Sequence, residues 1–212
     1  MSFSFRPALT LAAIVAIISA LLIVTYNVTY VDTSGILTAK QSAAAVAVYG
    51  GAAEDYEVVP AEEWGAALTS EINPEFSRIT KVIRKNDGSL AFEVVVKGYK
   101  EGFDILVGVK DSVVAGVAVV SAGEETPGLG TKTNDPAFLD NFKGISGEAV
   151  IVRSAPEADN EVQAVTSATF SSKGVAKAVN IALAAYAEYN GQEKPLPPDN
   201  ADQTENDGGE RK

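Results

Sequence analysis

The pattern of apolar and polar residues divides the chain into an apolar N-terminal run, an alternating middle and a helical C-terminal part. Residues 7–31 carry no charged side chain. At ~1.5 Å per residue, a helix of that length is about 37 Å long and crosses a hydrocarbon layer of ~30 Å with some tilt. The pattern therefore predicts a transmembrane anchor over residues 8–31, preceded by a short N-terminal segment, residues 1–7.

A cleaved signal peptide is the alternative interpretation of this run. The apolar core of a signal peptide is about 7–15 residues long and is followed by small residues at the cleavage site. The run here is longer, and the sequence TYNVTYV follows its apolar core, so an uncleaved anchor fits better. Arg6 precedes the run and Asp32 follows it. The positive-inside rule then predicts a single-pass protein of the cell (inner) membrane with a cytoplasmic N-terminus and an extracytoplasmic remainder.

The middle of the chain alternates between apolar and polar side chains with a period of two, which is typical of strands. Predicted strands over 79–85 and 90–97 flank Asn86-Asp87-Gly88, a strong hairpin signal. Two further strands, over 103–110 and 113–121, are joined by a short polar turn. Another strand is predicted over 147–153. Short connections of this kind favour antiparallel pairing.

Four segments have helical patterns. An Ala-rich helix is predicted over 34–49, and short helices are predicted over 62–68 and 135–142. A long helix with one apolar face is predicted over 169–190. The predicted fold class is therefore α+β, with a mostly antiparallel sheet and packed helices behind a single N-terminal transmembrane helix.

The end of the chain differs in composition from the rest. After residue 193 it reads KPLPPDNADQTENDGGERK, which is polar, rich in proline and acidic. A segment of this composition has too little apolar surface to form a packed core. We therefore expect a disordered acidic tail over 194–212 and one extracytoplasmic domain over 32–193.

Charge and composition exclude several classes of function. The chain has 17 basic and 28 acidic side chains, a net charge of −11, which argues against a nucleic-acid-binding surface. It has neither cysteine nor histidine, so disulfides, Cys-ligated clusters, Cys or His zinc sites and a Ser-His-Asp triad are excluded. Redox chemistry would need an organic cofactor. A hydrolase would need a Ser-Lys pair, and no SxxK motif occurs in the domain.

Two segments could carry chemistry. Residues 124–130 (EETPGLG) place a proline and two glycines in a loop after a strand, so the backbone can approach a ligand closely; an ordinary turn has the same composition. Residues 165–174 (VTSATFSSKG) hold five hydroxyls at the start of the long helix. A helix N-terminus favours a phosphate group, and helix capping by Ser and Thr explains the same pattern.

Together, the two segments resemble the FMN-binding domain of membrane flavoproteins. The resemblance rests on ETPGLGTK at residues 125–132, on TSATFS at residues 166–171, on the strands before the loop and on the single anchor. The family includes the G subunit of the Rnf electron transport complex (RnfG) and the C subunit of the sodium-translocating NADH:quinone reductase. Resemblance to RnfG is favoured, because the reductase protein usually has more sequence between its anchor and the motif.

The resemblance implies a covalently bound FMN. In the family, a flavin transferase joins the FMN phosphate to the last hydroxyl of the second segment, which is Ser171 here, where the family usually has Thr. The other residues that the resemblance implicates are Thr166, Ser167, Ala168, Thr169 and Lys173 in the second segment, and Glu125, Thr126, Gly128, Leu129 and Gly130 in the loop. Glu125 and Thr126 are candidates either for contacts at the edge of the flavin ring or for hydrogen bonds that shape the loop.

The function that the resemblance implies is electron transfer within an Rnf-type ion-translocating ferredoxin:NAD oxidoreductase complex, as one of its components rather than a stand-alone enzyme. The implied partners are other membrane subunits, including a second FMN-bearing subunit and iron–sulfur subunits, and a flavin transferase for maturation. Two alternatives stay open. One is the C subunit of a sodium-translocating NADH:quinone reductase, and the other is a non-redox extracytoplasmic binding or scaffold domain.

Overall fold

The computed structural model describes residues 6–29, 35–123, 125, 127–128 and 130–191, with side chains from residue 9 onward. The predictions for the first five residues, the end of the anchor, Thr126, Leu129 and the acidic tail lie outside this set. The chain divides into two compact units, residues 1–34 and 35–212, which are described separately.

The first unit contains helix α1 (Arg6–Thr29). Within Leu9–Thr29, a window of 18 residues has a mean hydropathy of 2.5 and contains no buried residue. The Thr25 and Thr29 hydroxyls donate hydrogen bonds to carbonyls one turn earlier, at 2.8 and 2.6 Å, so neither leaves an unpaired donor on the apolar surface. By length and composition, α1 is sufficient to cross a membrane.

In the described part of the second unit, five strands form a central antiparallel sheet, in which each strand lies beside the next one in sequence. Its strands are β1 (Tyr56–Val59), β2 (Ile79–Lys85), β3 (Leu90–Val96), β4 (Phe103–Lys110) and β5 (Val113–Ser121). The turn between β4 and β5 places Asp111 and Ser112 at φ of 52° and 62°, as a two-residue hairpin turn with the correct twist requires. The alternating pattern predicted four of these strands and missed β1.

Helices and a small second sheet complete the described part of this unit. The helices are α2 (Ala39–Tyr49), α3 (Ala61–Trp64), α4 (Pro136–Leu139) and α5 (Thr169–Tyr189), and β6 (Val150–Val152) pairs in parallel with β7 (Glu161–Gln163). The strand predicted over 147–153 is thus three residues long, and α3 is shorter than the helix predicted over 62–68. Helix α2 starts at 39 rather than 34, because Thr38 and Gln41 form a capping box there.

The two faces of the five-stranded sheet are covered by different helices. Helix α5 packs across β3 and β4, over a core that contains the fully buried Phe92 and Phe103. Helix α2 covers the opposite face near β4 and β5. It lies so close to the sheet that a Cβ atom added to Gly108 would overlap the side chains of Val48 and Tyr49. The α+β prediction, with a mostly antiparallel sheet, is confirmed.

Candidate functional site

The hydroxyl-rich segment forms the turn before α5 and the first turn of that helix. Ala168 occupies the N-cap position and provides no side-chain cap. Thr166 and Ser167 are exposed, and Ser167 adopts a positive φ of 65°. Thr169, the first residue of α5, is half-buried, and no hydrogen bond joins its hydroxyl to another described residue. The backbone N–H groups of this first turn lack helical acceptors and carry the positive end of the helix dipole.

Two hydroxyls of the segment point into the protein. Ser172 is fully buried; its hydroxyl accepts from the Val165 N–H and donates to the Ala168 carbonyl, both at 3.0 Å. Ser172 therefore stabilises the turn before the helix, which is the capping role that Ser and Thr often have. Ser171 is only 1% exposed, and its hydroxyl donates to Glu125 Oε2 at 2.6 Å. In this conformation neither hydroxyl is presented to an external enzyme.

The glycine-containing loop meets the helix through Glu125. This side chain is 5% exposed, and its Oε1 accepts a hydrogen bond from the backbone N–H of Lys100 at 3.1 Å. A Cβ atom added to Gly130 or to Gly98 would overlap the Glu125 carboxylate. Both glycines are therefore required by the close approach of that carboxylate, rather than by a special backbone conformation.

Gly128 has a different role from Gly130. Its φ is 76°, a value that disfavours residues with a side chain, and a Cβ atom there would meet nothing within 4 Å. Its N–H donates to Thr131 Oγ1 at 2.9 Å. This hydrogen bond joins two positions of the loop, and Pro127 and Gly128 are exposed. The structure brings Glu125 and Gly130 together with Ser171.

An open cleft of about 590 Å³ lies beside the segment. Its lining comes from α4, the turn before α4, β7 and the residues after β7. Lys132, Phe138, Asn141 and Gln163 are among the lining residues. The last lining residue in sequence is Val165, directly before Thr166. Cofactor pockets generally have volumes of about 300–1,000 Å³. Asn134 Oδ1, between two lining residues in sequence, is buried without a hydrogen-bond partner among the described residues.

Two exposed side chains flank the start of α5. Phe170 is 68% exposed, so its ring is available at the surface. Lys173 is also exposed and adds positive charge to the first turn. Together with the half-buried Thr169, these residues provide a hydroxyl, unpaired N–H groups, a cation and an aromatic surface at one end of the domain. This combination is suited to an aromatic ligand that carries a phosphate.

Comparisons with known proteins agree with this chemistry. Residues 98–184, which include the loop and the start of α5, match the FMN-binding domain family. The chain is 33% identical over 144 residues to the G subunit of the Na⁺-translocating ferredoxin:NAD⁺ oxidoreductase complex of Acetobacterium woodii, with 63% of this chain and 68% of that protein covered. The chain belongs to this family of G subunits.

A second member of the family is also similar. The G subunit of the proton-translocating ferredoxin:NAD⁺ oxidoreductase complex of Clostridium ljungdahlii is 32% identical over 111 residues, which cover 51% of this chain and 60% of that protein. Among solved structures, NqrC of Shewanella oneidensis aligns with a TM-score of 0.43 at 24% identity, over 52% of this chain and 59% of that one. The C subunit of the Na⁺-translocating NADH-quinone reductase of Parabacteroides distasonis aligns with a TM-score of 0.39 at 24% identity, over 54% and 63% of the two chains.

Sequence reasoning missed several residues of this site. Gly98 and the Lys100 backbone N–H lie in the turn after β3, far from either motif in sequence, and Lys132 lies in the cleft. Gly98 and Lys100 do lie inside the matched FMN-binding region, which begins at residue 98. A turn glycine gives no sign by itself that a carboxylate 27 residues later packs against it.

Proposed function

We propose that the chain is the FMN-bearing electron-transfer component of an Rnf-type ion-translocating ferredoxin:NAD oxidoreductase complex. The observation that carries this proposal is the match of residues 98–184 to the FMN-binding domain, since that region contains both segments of the site. Bound FMN supplies a centre that can accept and pass on one or two electrons. The chain's own residues hold and orient this group and control its access to water.

The N-terminus of α5 supports a phosphoester tether at Thr169. The Thr169 hydroxyl is partly accessible, is not engaged by a described residue, and opens the helix. A phosphodiester there would be stabilised by the unpaired N–H groups, by the helix dipole and by the charge of Lys173. The cleft that ends at Val165 and the exposed Phe170 offer apolar surface for the rest of the group.

Ser171 is the competing acceptor. The resemblance of TSATFS to the family's second segment predicts it, and this prediction stays open. Its burial and its hydrogen bond to Glu125 count against it, because esterification would require the first turn of α5 to separate from the loop. Thr166 and Ser167 are accessible, but they precede the helix and therefore lie farther from its unpaired N–H groups.

A pair of matched variants tests the tether. The chain is produced in full length in cells that express a flavin transferase, and covalent flavin is detected by in-gel fluorescence after denaturation. We expect Thr169→Ala to abolish the fluorescence and Ser171→Ala to retain it. Mass spectrometry of the tryptic peptide 154–173 should show one added FMN minus water on Thr169. A modified Ser171 in that peptide would reinstate the prediction from the sequence.

An unmodified wild-type peptide would instead favour the non-redox binding or scaffold domain, provided that another flavoprotein in the same cells is labelled. That control separates the absence of an acceptor from the absence of transferase activity. Loss of fluorescence in both single variants would leave peptide mapping of the wild-type chain to assign the acceptor.

The chain's membrane anchorage rests on α1, and its sidedness belongs to the proposal. Arg6 before the apolar run supports a cytoplasmic N-terminus and an extracytoplasmic domain. A reporter that is active only in the cytoplasm, fused after residue 212, should be inactive. The partners that we propose are the other membrane subunits of the complex, including a second FMN-bearing subunit and iron–sulfur subunits. Co-purification of these subunits with the tagged full chain tests the assembly.

A further inference from the structure

A charged side chain is buried at the point where three chain segments meet. Glu125 is 5% exposed, although Glu is rarely this buried without a partner. One carboxylate oxygen accepts from the Ser171 hydroxyl at 2.6 Å, and the other accepts from the Lys100 backbone N–H at 3.1 Å. The carboxylate therefore joins the loop after β5 to the first turn of α5 and to the turn after β3.

Glycines on two sides make room for this carboxylate. A Cβ atom at Gly98 or Gly130 would overlap it. A third glycine, Gly174, lets α5 approach the turn after β3, since its Cβ atom would lie 3.0 Å from the Lys97 carbonyl oxygen and 3.1 Å from Gly98 Cα. Gly98 and Gly130 thus leave room for one side chain, and Gly174 lets α5 pack against the turn that contains Gly98.

The electrostatics of α5 favour an anion at this position. Ala168 at the N-cap provides no acceptor for the first N–H groups, so the positive end of the helix dipole is not compensated locally. The Glu125 carboxylate reaches this end from the loop and bonds the side chain of the third helix residue, so this bond leaves the first backbone N–H groups to the phosphate group proposed above. The same bond keeps the Ser171 hydroxyl inside the protein while Thr169 remains half-buried at the surface.

We propose that Glu125 is the positioning residue of the FMN-bearing segment. It fixes the loop at residues 125–130 against the first turn of α5, and it acts through Ser171 and Lys100 rather than by contact with the flavin. This inference rests on the proposed function. Of the two roles that the sequence left open for Glu125, it adopts the hydrogen bonds that shape the loop rather than the contact at the ring edge. Loss of the carboxylate should release the loop and change the surroundings of the bound group without removing the tether.

The first test needs no flavin. Amide hydrogen exchange is measured on the full chain in detergent, produced without a flavin transferase. In Glu125→Ala, exchange at residues 98–102 and 168–174 should be about tenfold faster than in wild type, because a buried N–H and a buried hydroxyl lose their acceptor. Glu125→Gln should stay near wild type, since its amide can accept from Lys100 and donate to the Ser171 oxygen. The matched control is Glu101→Ala, an exposed Glu in the adjacent turn, and it should leave these peptides unchanged.

A variant of the partner isolates the bond itself. Ser171→Ala should accelerate exchange in the same peptides, and the double variant Glu125→Ala, Ser171→Ala should exchange no faster than Glu125→Ala alone, because both single changes remove one shared hydrogen bond. Ser171→Ala also keeps the proposal testable if Glu125→Ala fails to fold. Additive effects of the two changes would overturn the proposal.

The second test uses the flavinylated chain. Visible circular dichroism and the midpoint potential of the covalent flavin should shift in Glu125→Ala and return to wild-type values in Glu125→Gln. A loss of stability with unchanged flavin spectra and potential would show that Glu125 is only structural and would overturn the proposal. A wild-type chain that carries no flavin would instead refute the proposed function, and the exchange experiment would then decide the role of Glu125 by itself.

Discussion

The two faces of the five-stranded sheet are built on different principles. The face under α5 is a continuous apolar core with large side chains, among them Phe92, Phe103 and Ile105. The face under α2 has a smaller apolar cluster, in which alanines surround Ile83 and Leu106, and it contains the buried Glu93. Gln41 of α2 donates to both Glu93 carboxylate oxygens at 2.8 Å. One face therefore derives its stability from apolar burial, and the other combines close backbone approach with hydrogen bonds to a carboxylate.

The difference shows how stability and chemistry are divided in this domain. Helix α5 carries the candidate tether at its first turn, so the large core beneath it holds the site rigidly. Helix α2 lies on the opposite face and shares no described hydrogen bond with the candidate site. Changes under α5 should therefore disturb both folding and the flavin, whereas changes under α2 should disturb folding alone.

The largest effect is expected under α5. Phe92→Ala removes a fully buried aromatic ring and should lower the free energy of unfolding by about 3–5 kcal/mol, measured by denaturant titration of the full chain in detergent. Because α5 loses its support, the flavin spectrum should change as well. Ile36→Ala, at an exposed position outside the candidate site, serves as the control and should change the free energy of unfolding by less than about 0.5 kcal/mol.

A smaller loss is expected under α2. Gly108→Val places a branched side chain where Val48 and Tyr49 already lie, and overpacking of this kind costs about 1–3 kcal/mol. Visible circular dichroism of the flavin should stay at its wild-type value. Gly147→Ala is the matched control, since its Cβ atom would meet nothing within 4 Å. A flavin spectrum altered by Gly108→Val would contradict the separation of the two faces.

The α2 face should also make stability depend on pH. Burial, the negative charge of Glu93 and a hydrogen bond to Glu93 raise the pKa of Asp104 from 3.8 to about 7. Between these values the folded state holds a proton that the unfolded state has released, so stability falls as pH rises through this window. Asp104→Asn should flatten the dependence, as measured by thermal unfolding at a series of pH values. An unchanged slope in this variant would assign the titration to another group.

The smallest effect is expected at the rim of the α5 face. Lys177 of α5 forms an ion pair with Glu75 at 3.0 Å, and both side chains are partly exposed. Lys177→Gln should lower the free energy of unfolding by at most about 1 kcal/mol, and high salt should reduce the difference. Lys143→Gln, which removes a local exposed pair with Asp140, is the comparison. A larger loss at Lys177 would mean that rim charges contribute to holding α5.

Most of the fold could be predicted because its elements follow simple periods. Strands β2 to β5 alternate clearly between apolar and polar residues. The Asn-Asp-Gly sequence at residues 86–88 predicts the first hairpin, and Gly88 adopts a positive φ there. The edge strand β1 was missed because it has four residues between an acidic segment and Pro60. Strand β7 was missed because its three residues carry little pattern of their own and pair with β6 through tertiary context.

The two segments of the site could be predicted from the sequence, but the contacts between them could not. The start of α5 and the loop could be found because their composition is unusual. Burial of Ser171 could not be predicted, since it depends on a contact with Glu125 across 46 residues. Helical periodicity alone does not distinguish which of Thr169, Ser171 and Ser172 faces the sheet until the position of the loop is known.

The sequential strand order determines when the proposed tether site forms during folding. Each strand of the sheet pairs with the one synthesised just before it, so the sheet relies on local contacts that form early. Helix α5 comes much later in the chain and closes the apolar face only when it docks. Before docking, Ser171 and Ser172 are as open to solvent as Thr169. If the proposed modification follows docking, Thr169 would be the accessible one of these three hydroxyls. If it precedes docking, all three would be accessible.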